Sequence, residues 1–323
     1  MRAWRVHELG EPLDVLRWEE VPDPEAHSGM LRLRVDAVAL NFPDVLLCRG
    51  QYQEKPPLPF TPGLEVCGTV LDGPRAGERV IAGPGLPHGG LAEQVAVAEA
   101  GALTIPDAMR ASTAASMLVT YQTGYVGLHR RGQLQAGETL LVHAGAGGVG
   151  SAAIQLGQAA GARVIATAGG PDKVKVCEQL GADVAIDYLA EDFVQVVKDV
   201  TEGRGADVIY DSVGGDTFDR SRRCIAFEGR IVVVGFAGGR IADAPTNHAL
   251  LKNYSVVGLH WGLYRTLGPR VIPETHIALM DLWERGLVDP LIGAELPLSE
   301  APAALGRLGD RGTIGKVVLL PGS

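Results

Sequence analysis

The sequence contains no C-x-x-C pair, and its four cysteines, Cys48, Cys67, Cys177 and Cys224, are scattered along the chain. That spacing excludes a disulfide framework and a cysteine-held zinc lobe, and it predicts thiols that are reduced and mostly buried. The eight histidines show no metal-ligand spacing either. A catalytic zinc takes about three Cys, His or carboxylate ligands, and no cluster supplies them. No apolar run approaches the roughly 18 residues of a membrane-spanning helix, and Met1-Arg2-Ala3-Trp4-Arg5 does not read as a secretory leader. Positive charge is short as well: 29 Lys and Arg stand against 38 Asp and Glu, a formal charge of −9. This balance argues against nucleic acid or an anionic membrane as partner. The expectation is a cytosolic protein acting on small molecules.

Glycine, by contrast, is abundant, at 43 of 323 residues. Gly145, Gly147 and Gly150 spell G-x-G-x-x-G. The apolar run Thr139–Val142 before them reads as a buried strand, and Val149, Ala153, Leu156 and Ala160 after them recur at helical spacing. In such a strand–turn–helix the first glycine permits the tight turn, the second lets backbone approach a pyrophosphate, and the third lets the helix sit close to the strand. The helix N-terminus offers free N–H groups and partial positive charge to the diphosphate.

A length of 323 residues favours two domains. From Met1 to about Ala108 the pattern is β: Leu31, Leu33 and Val35 alternate with Arg32, Arg34 and Asp36, and further short apolar runs are punctuated by Gly and Pro. A loop-rich segment from Asn41 to Glu65 interrupts them. Beyond Ala111 helical spacing leads into six short apolar strands, at Thr139–Val142, Arg163–Thr167, Asp183–Asp187, Ala206–Asp211, Arg230–Gly235 and Tyr254–Gly258. Helices at Asp172–Leu180, Glu191–Thr201 and Thr217–Phe227 separate most of them, with Gly161, Gly181, Gly205 and Gly229 placed as helix C-caps. This is the pattern of a doubly wound parallel sheet of the dinucleotide-binding form. Helices around Glu274–Arg285 and Glu300–Leu308 precede a closing strand, Gly315–Leu320, assigned to the β domain. His143, inside the first strand of the sheet, reads as a buried residue with its hydrogen bonds satisfied.

An NAD site usually ends its second strand on an acid that binds the ribose 2′-hydroxyl. Here the strand runs Ile165-Ala166-Thr167-Ala168-Gly169-Gly170, without one. The missing carboxylate leaves room for a 2′-phosphate, and Lys173, which opens the next helix, either offers it an ammonium or is a surface helix residue. NADPH is the better match.

At this point the sequence resembles the medium-chain dehydrogenase/reductase superfamily, and within it the zinc-free quinone oxidoreductases, the zeta-crystallin-like group. The segment from Gly137-Glu138-Thr139-Leu140-Leu141 through Gly147-Gly148-Val149-Gly150 to Gln155 is similar to that group's signature, with Gln158 where a basic residue or Ser is usual. Asn41-Phe42-x-Asp44, Gly50-x-Tyr52, Pro62-Gly63-x-Glu65 and Arg311-Gly312-Thr313-x-Gly315 extend the likeness across the chain. The resemblance implies a GroES-like, mostly-β catalytic domain over 1–121 and 265–323. It implies a doubly wound, six-stranded Rossmann domain over 122–264, and a homodimer paired through strands such as Tyr254–Gly258. It further implies that Asn41, Tyr52 and Thr123 lie near the nicotinamide or substrate. The cofactor residues it implies are Ala146, Gly147, Gly148, Val149, Gly150, Thr167, Gly169, Lys173, Tyr188, Phe236 and Arg311. Read without it, Asn41 is equally a helix cap, Asp44 a loop-holding residue, Tyr52 and Tyr188 packed aromatics, and Arg311 a surface residue beside Asp310.

In the related zinc alcohol dehydrogenases a Cys stands in place of Asn41 and a His in place of Leu64, so the resemblance implies no metal. Without a Lewis acid to stabilise an alkoxide, the substrate must accept charge into its own conjugated system. The expectation is hydride transfer from NADPH to a quinone or related conjugated carbonyl, helped by one or two hydrogen-bond donors. The alternatives are an enoyl-thioester or alkenal double-bond reductase on the same fold, and a nucleotide-binding protein with little turnover.

Overall fold

Alternation decides the early β segment. In the strand Met30–Ala39, Leu31, Leu33 and Val35 are buried, while Arg32 and Arg34 on the other face pair with Asp72 and Asp36. The structure, a computed structural model, describes residues 1–322. They divide into two compact units, 1–119 with 290 onward, and Thr120–Asp289.

In chain order the first unit contributes β1 (Arg2–Val6), β2 (Leu16–Glu20), β3 (Met30–Ala39), β4 (Val66–Val70), β5 (Arg79–Ala82), β6 (Gln94–Ala98) and β7 (Leu103–Thr104). The second unit contributes β8 (Thr139–Val142), β9 (Arg163–Ala168), β10 (Val184–Asp187), β11 (Ala206–Asp211), β12 (Ile225–Val233) and β13 (Ser255–Gly258). The chain then returns to the first unit with β14 (Ile292–Pro297) and β15 (Lys316–Leu320).

The first unit is built on a sheet ordered β14-β15-β3-β4-β5-β7, with β6 also on β3 and a separate β1-β2 hairpin. Its core gathers Leu33, Val45, Phe60, Val66, Leu305 and Leu319, side chains whose burial contributes roughly 1.5–3 kcal/mol each. The short helix Phe42–Cys48 sits within the segment read as loop.

The second unit is a parallel sheet ordered β10-β9-β8-β11-β12-β13. The order reverses between β8 and β11, which is where doubly wound sheets bind ligands. Strands covered on both faces need apolar residues throughout, and Leu140, Leu141 and Val142 are all fully buried.

Four details differ from the sequence reading. The helix expected to reach Phe227 ends at Ser221, because Ile225-Ala226-Phe227 opens β12. Gly229 therefore lies inside that strand, after Glu228 in the left-handed conformation, and caps no helix. The helix Val271–Glu284 belongs to the second unit and not to the β domain, because its buried face (Ile272, Thr275, His276, Leu279) packs on the helix Thr120–Tyr125. The unit accordingly runs to Asp289, where a boundary at 264 was expected. Finally, β14 pairs in parallel with β15, a strand without an obvious alternating pattern. All four cysteines are unpaired and buried. Among the described residues no helix is long and apolar enough to cross a membrane.

Candidate functional site

The glycine loop sits at the reversal point of the sheet. β8 ends at Val142, the chain turns through Ala144, and the helix Gly148–Ala159 starts with Gly147 as its N-cap and no side-chain cap. The turn's left-handed residue is Ala144, with φ of 53°, so the expected backbone role of Gly145 is taken by its neighbour. Gly150 is required by close approach: a Cβ there would lie 2.2 Å from the Ala144 carbonyl oxygen. Helix and turn can meet only without that atom. The uncapped first-turn N–H groups of Gly148, Val149 and Gly150 are the donors a diphosphate needs. Ala146 is buried within the turn.

Behind the loop, His143 is buried with both ring nitrogens engaged. The Ser221 hydroxyl donates to Thr217 O at 2.7 Å, so it accepts from His143 Nε2–H at 2.8 Å, and His143 Nδ1 accepts the Thr167 hydroxyl at 3.0 Å. Burial pushes the imidazole down to about 4, partly offset by Asp211. This network spends the Thr167 side chain inside the unit, 2% exposed, so what Thr167 offers the loop is its carbonyl, which accepts Gly145 N–H at 2.9 Å.

β9 ends in Ala168-Gly169-Gly170 without a carboxylate of its own. The Oδ1 of Asp187, from the end of β10, is taken by the N–H groups of Gly170 (2.9 Å) and Leu189 (3.0 Å). The ring of Tyr188, 49% exposed, lies over Gly169, and Lys173 stands in the first turn of the helix Pro171–Gln179. Gly169, Lys173 and Tyr188 thus line one patch at the ends of β9 and β10. Phe236 lies over Gly214 beyond the end of β12.

Thr123 is nearly buried in the helix Thr120–Tyr125. Its neighbour Gln122 is fully buried, accepts Trp261 Nε1–H at 3.3 Å, and leaves its own Nε2 without a partner among the described residues. Sequence reasoning missed this amide, which sits in an otherwise ordinary helical stretch.

In the first unit, Asn41, Asp44, Glu65 and Lys316 form one buried polar cluster. Lys316 Nζ donates to Leu40 O (2.8 Å), Asn41 Oδ1 (2.7 Å) and Glu65 Oε1 (2.7 Å), with Lys316 3% and Glu65 0% exposed. Asn41 Nδ2 in turn donates to Glu65 Oε1 at 2.9 Å and to Ala39 O at 3.1 Å, and Glu65 Oε2 accepts Val119 N–H at 2.7 Å. Both amide hydrogens of Asn41 are therefore spent. Asp44 accepts the N–H groups of Asn41 (2.8 Å) and Gly63 (2.9 Å), starting the helix Phe42–Cys48 and tying down the loop. Burial pushes the Asp44 carboxyl up to about 6 despite those bonds. Lys316 is a second residue that sequence reasoning missed. The signal was present, in a lysine heading the apolar strand Lys316-Val317-Val318-Leu319-Leu320.

Tyr52 follows this cluster, half-buried against the same core. Burial, with Glu54 and Asp44 adding negative charge, pushes its phenol up to about 12. At neutral pH it can only be a protonated donor. Arg311 lies at the turn after the helix Ala301–Gly309, with φ of 59°.

Two family descriptions match the chain: an alcohol dehydrogenase GroES-like domain over residues 27–107, and a zinc-binding dehydrogenase over residues 148–277. Quinone oxidoreductase-like protein 2 of Mus musculus is 39% identical over 325 residues, spanning 98% of this chain and 91% of its own. The chain belongs to the quinone oxidoreductase group of the medium-chain dehydrogenase/reductase superfamily. Two solved structures extend the likeness. The quinone oxidoreductase of Thermus thermophilus, described with its NADPH complex, gives a TM-score of 0.88 at 35% identity, covering 99% of this chain and 100% of that one. The Escherichia coli quinone oxidoreductase complexed with NADPH gives 0.91 at 29%, covering 99% and 100%. The zinc that one family description names does not fit the residues of this member. Among the described residues no three His, Cys, Asp or Glu side chains converge. Asn41 and Glu65 face each other and an ammonium, a donor set that satisfies itself.

Proposed function

We propose that this protein is an NADPH-dependent reductase that delivers hydride to quinones or related conjugated carbonyl compounds without a metal. The observation that carries the reading is the Asn41–Glu65–Lys316 cluster, in which the oxygens that a metal would need are already bonded to an ammonium. A site so built has no Lewis acid to offer a plain ketone. Its substrate has to spread the incoming charge over its own conjugated system.

NADPH, when bound, supplies a hydride from its nicotinamide ring. The chain's own residues bind and orient it. Gly147, Gly148, Val149 and Gly150 present backbone N–H groups to the diphosphate, and Ala146 shapes the turn. Lys173 supplies positive charge to the 2′-phosphate, with Gly169 and Tyr188 beside it. The absence of a carboxylate of its own at the end of β9 supports the phosphorylated dinucleotide, as do the NADPH complexes of the relatives. Thr123 and Phe236 border the nicotinamide. Tyr52 donates a hydrogen bond to the substrate oxygen as negative charge develops there. Asn41, its amide hydrogens engaged, is a positioning residue.

The reading includes a homodimer and a cytosolic setting. β13 is the last strand of its sheet and leaves an edge open among the described residues; Val256 within it and Leu250 and Leu251 on the preceding helix are exposed. Four unpaired buried thiols suit a reducing compartment.

The test is steady-state oxidation of NADPH with 1,4-benzoquinone and 9,10-phenanthrenequinone, beside crotonyl-CoA and 2-alkenals, with NADH in parallel. Quinone turnover that prefers NADPH supports the proposal. Turnover of the thioester or alkenal alone moves the reaction to double-bond reduction, and NADPH binding without any turnover removes the catalytic reading.

A further inference from the structure

Right-handed crossovers place the helices Gly148–Ala159 and Pro171–Gln179 on one face of the six-stranded sheet. They place Gly215–Ser221 and Thr246–Lys252 on the other. On that second face lies a cavity of about 610 Å³ lined by Asp219, Arg222, Arg223, Arg240, Asp243 and His248. In a chain of formal charge −9 three guanidiniums line this wall with two carboxylates, and a third carboxylate outside the lining, that of Asp216, is bonded to Arg240 at 2.8 Å. One of the two acids, Asp219, is already bonded to Arg222 and Arg240. Lys252 adds a further cation close by, its Nζ donating to the carbonyls of Arg222 (3.1 Å) and Arg223 (3.2 Å). The exposed Arg223 guanidinium has no partner among the described residues.

The buried side of the same cavity is unsatisfied. Arg222 Nε, His248 Nδ1 and the Tyr254 hydroxyl are all buried and make no well-aligned hydrogen bond among the described residues, although the Arg222 guanidinium and the Tyr254 hydroxyl face each other. They belong together: the His248 and Tyr254 rings meet edge to face at 5.6 Å, and Tyr254 is only 6% exposed. Burial above all, with smaller contributions from the charges of Arg222 and Lys252, holds the His248 imidazole below its ordinary range. Folded proteins leave few buried polar groups unpaired, so a cluster of them beside unpaired positive charge points to something that binds there.

We propose that this cavity is a second anion site, separate from the glycine loop, which takes the phosphate of a small phosphorylated molecule. A phosphate has the oxygens and the charge to meet several planar guanidiniums at once, where a single carboxylate is answered by one. The volume suits a ligand of nucleotide size. The proposal does not depend on the reductase reading, since none of these residues takes part in it.

The test titrates AMP and inorganic phosphate calorimetrically into the full chain and into its Arg223→Glu and Lys173→Glu variants. Arg223 is exposed and Lys173 half-buried, and a melting curve on each variant verifies the fold. The expected result is two classes of AMP site. Arg223→Glu weakens one by about tenfold or more and spares the other, while Lys173→Glu does the reverse. AMP binding much tighter than inorganic phosphate at the Arg223 class identifies a nucleotide-like ligand, and equal affinity identifies the free oxyanion. A single class that Arg223→Glu leaves unchanged, or no phosphate binding outside the class that Lys173→Glu removes, overturns the proposal.

Discussion

Replacing Lys316 by Met tests the buried cluster most severely. The ammonium donates three hydrogen bonds of 2.7–2.8 Å and pairs with Glu65, which is itself 0% exposed. Methionine conserves much of the volume, so the loss is electrostatic. Breaking a buried pair by removing one partner costs about 3–5 kcal/mol, because the other charge stays buried without compensation. At about 3 °C per kcal/mol for a domain of this size, the midpoint of the first unit should fall by roughly 10–15 °C. The assay is thermal and urea unfolding followed by circular dichroism, run on Lys316→Met, Glu65→Gln and the double variant. If the two groups form one pair, the double variant should be less damaged than the sum of the singles by about 2 kcal/mol or more. A single-variant cost below about 1 kcal/mol, or strict additivity, refutes the reasoning.

Tyr52→Phe keeps the ring and removes the donor, so quinone turnover should drop by about 10- to 100-fold with NADPH affinity unchanged, measured by steady-state kinetics and fluorescence titration. Gly150→Ala places a methyl 2.2 Å from backbone and should abolish NADPH binding, whereas at Gly147 the same atom meets its nearest neighbour at 3.3 Å and the loss should be smaller. Isothermal calorimetry on both variants decides. His143 is held down to about 4 in the fold, against about 6.5 in an unfolded chain. The unfolded state thus binds the extra proton between those values, and stability of the second unit should rise with pH across that window by about 3 kcal/mol. Asp44, raised to about 6, has the opposite sign: the folded state holds the proton longer, so stability of the first unit should fall by about 3 kcal/mol as pH rises from about 4 to 6. Urea titrations at stepped pH on wild type, His143→Gln and Asp44→Asn separate the two slopes.

The nucleotide-binding half was legible because its physics is local. A parallel strand buried on both faces is a continuous apolar run, and all six such runs became strands, five of them within one residue of the expected ends and the sixth starting five residues early, at Ile225. The glycine loop announced itself by spacing, although it is Ala144, and not Gly145, that takes the left-handed turn. Where the sequence misled, the competing signals were short: Cys224-Ile225-Ala226-Phe227 suits a helix end as well as a strand start. The placement of the helix Val271–Glu284 depends on which surface its apolar stripe meets, and no single stretch of sequence states that. The candidate site divides in the same way. Tyr52, Asn41 and the glycine loop stand in recognisable local patterns. Lys316 lies 251 residues from Glu65, and the sheet alone brings them together.

The most direct measurement is NADPH-dependent reduction of 9,10-phenanthrenequinone by chelator-treated protein whose zinc content is determined on the same sample. The account predicts full turnover with zinc far below one per chain and no gain on adding it back. Loss of activity with the chelator, restored by stoichiometric zinc, would contradict it.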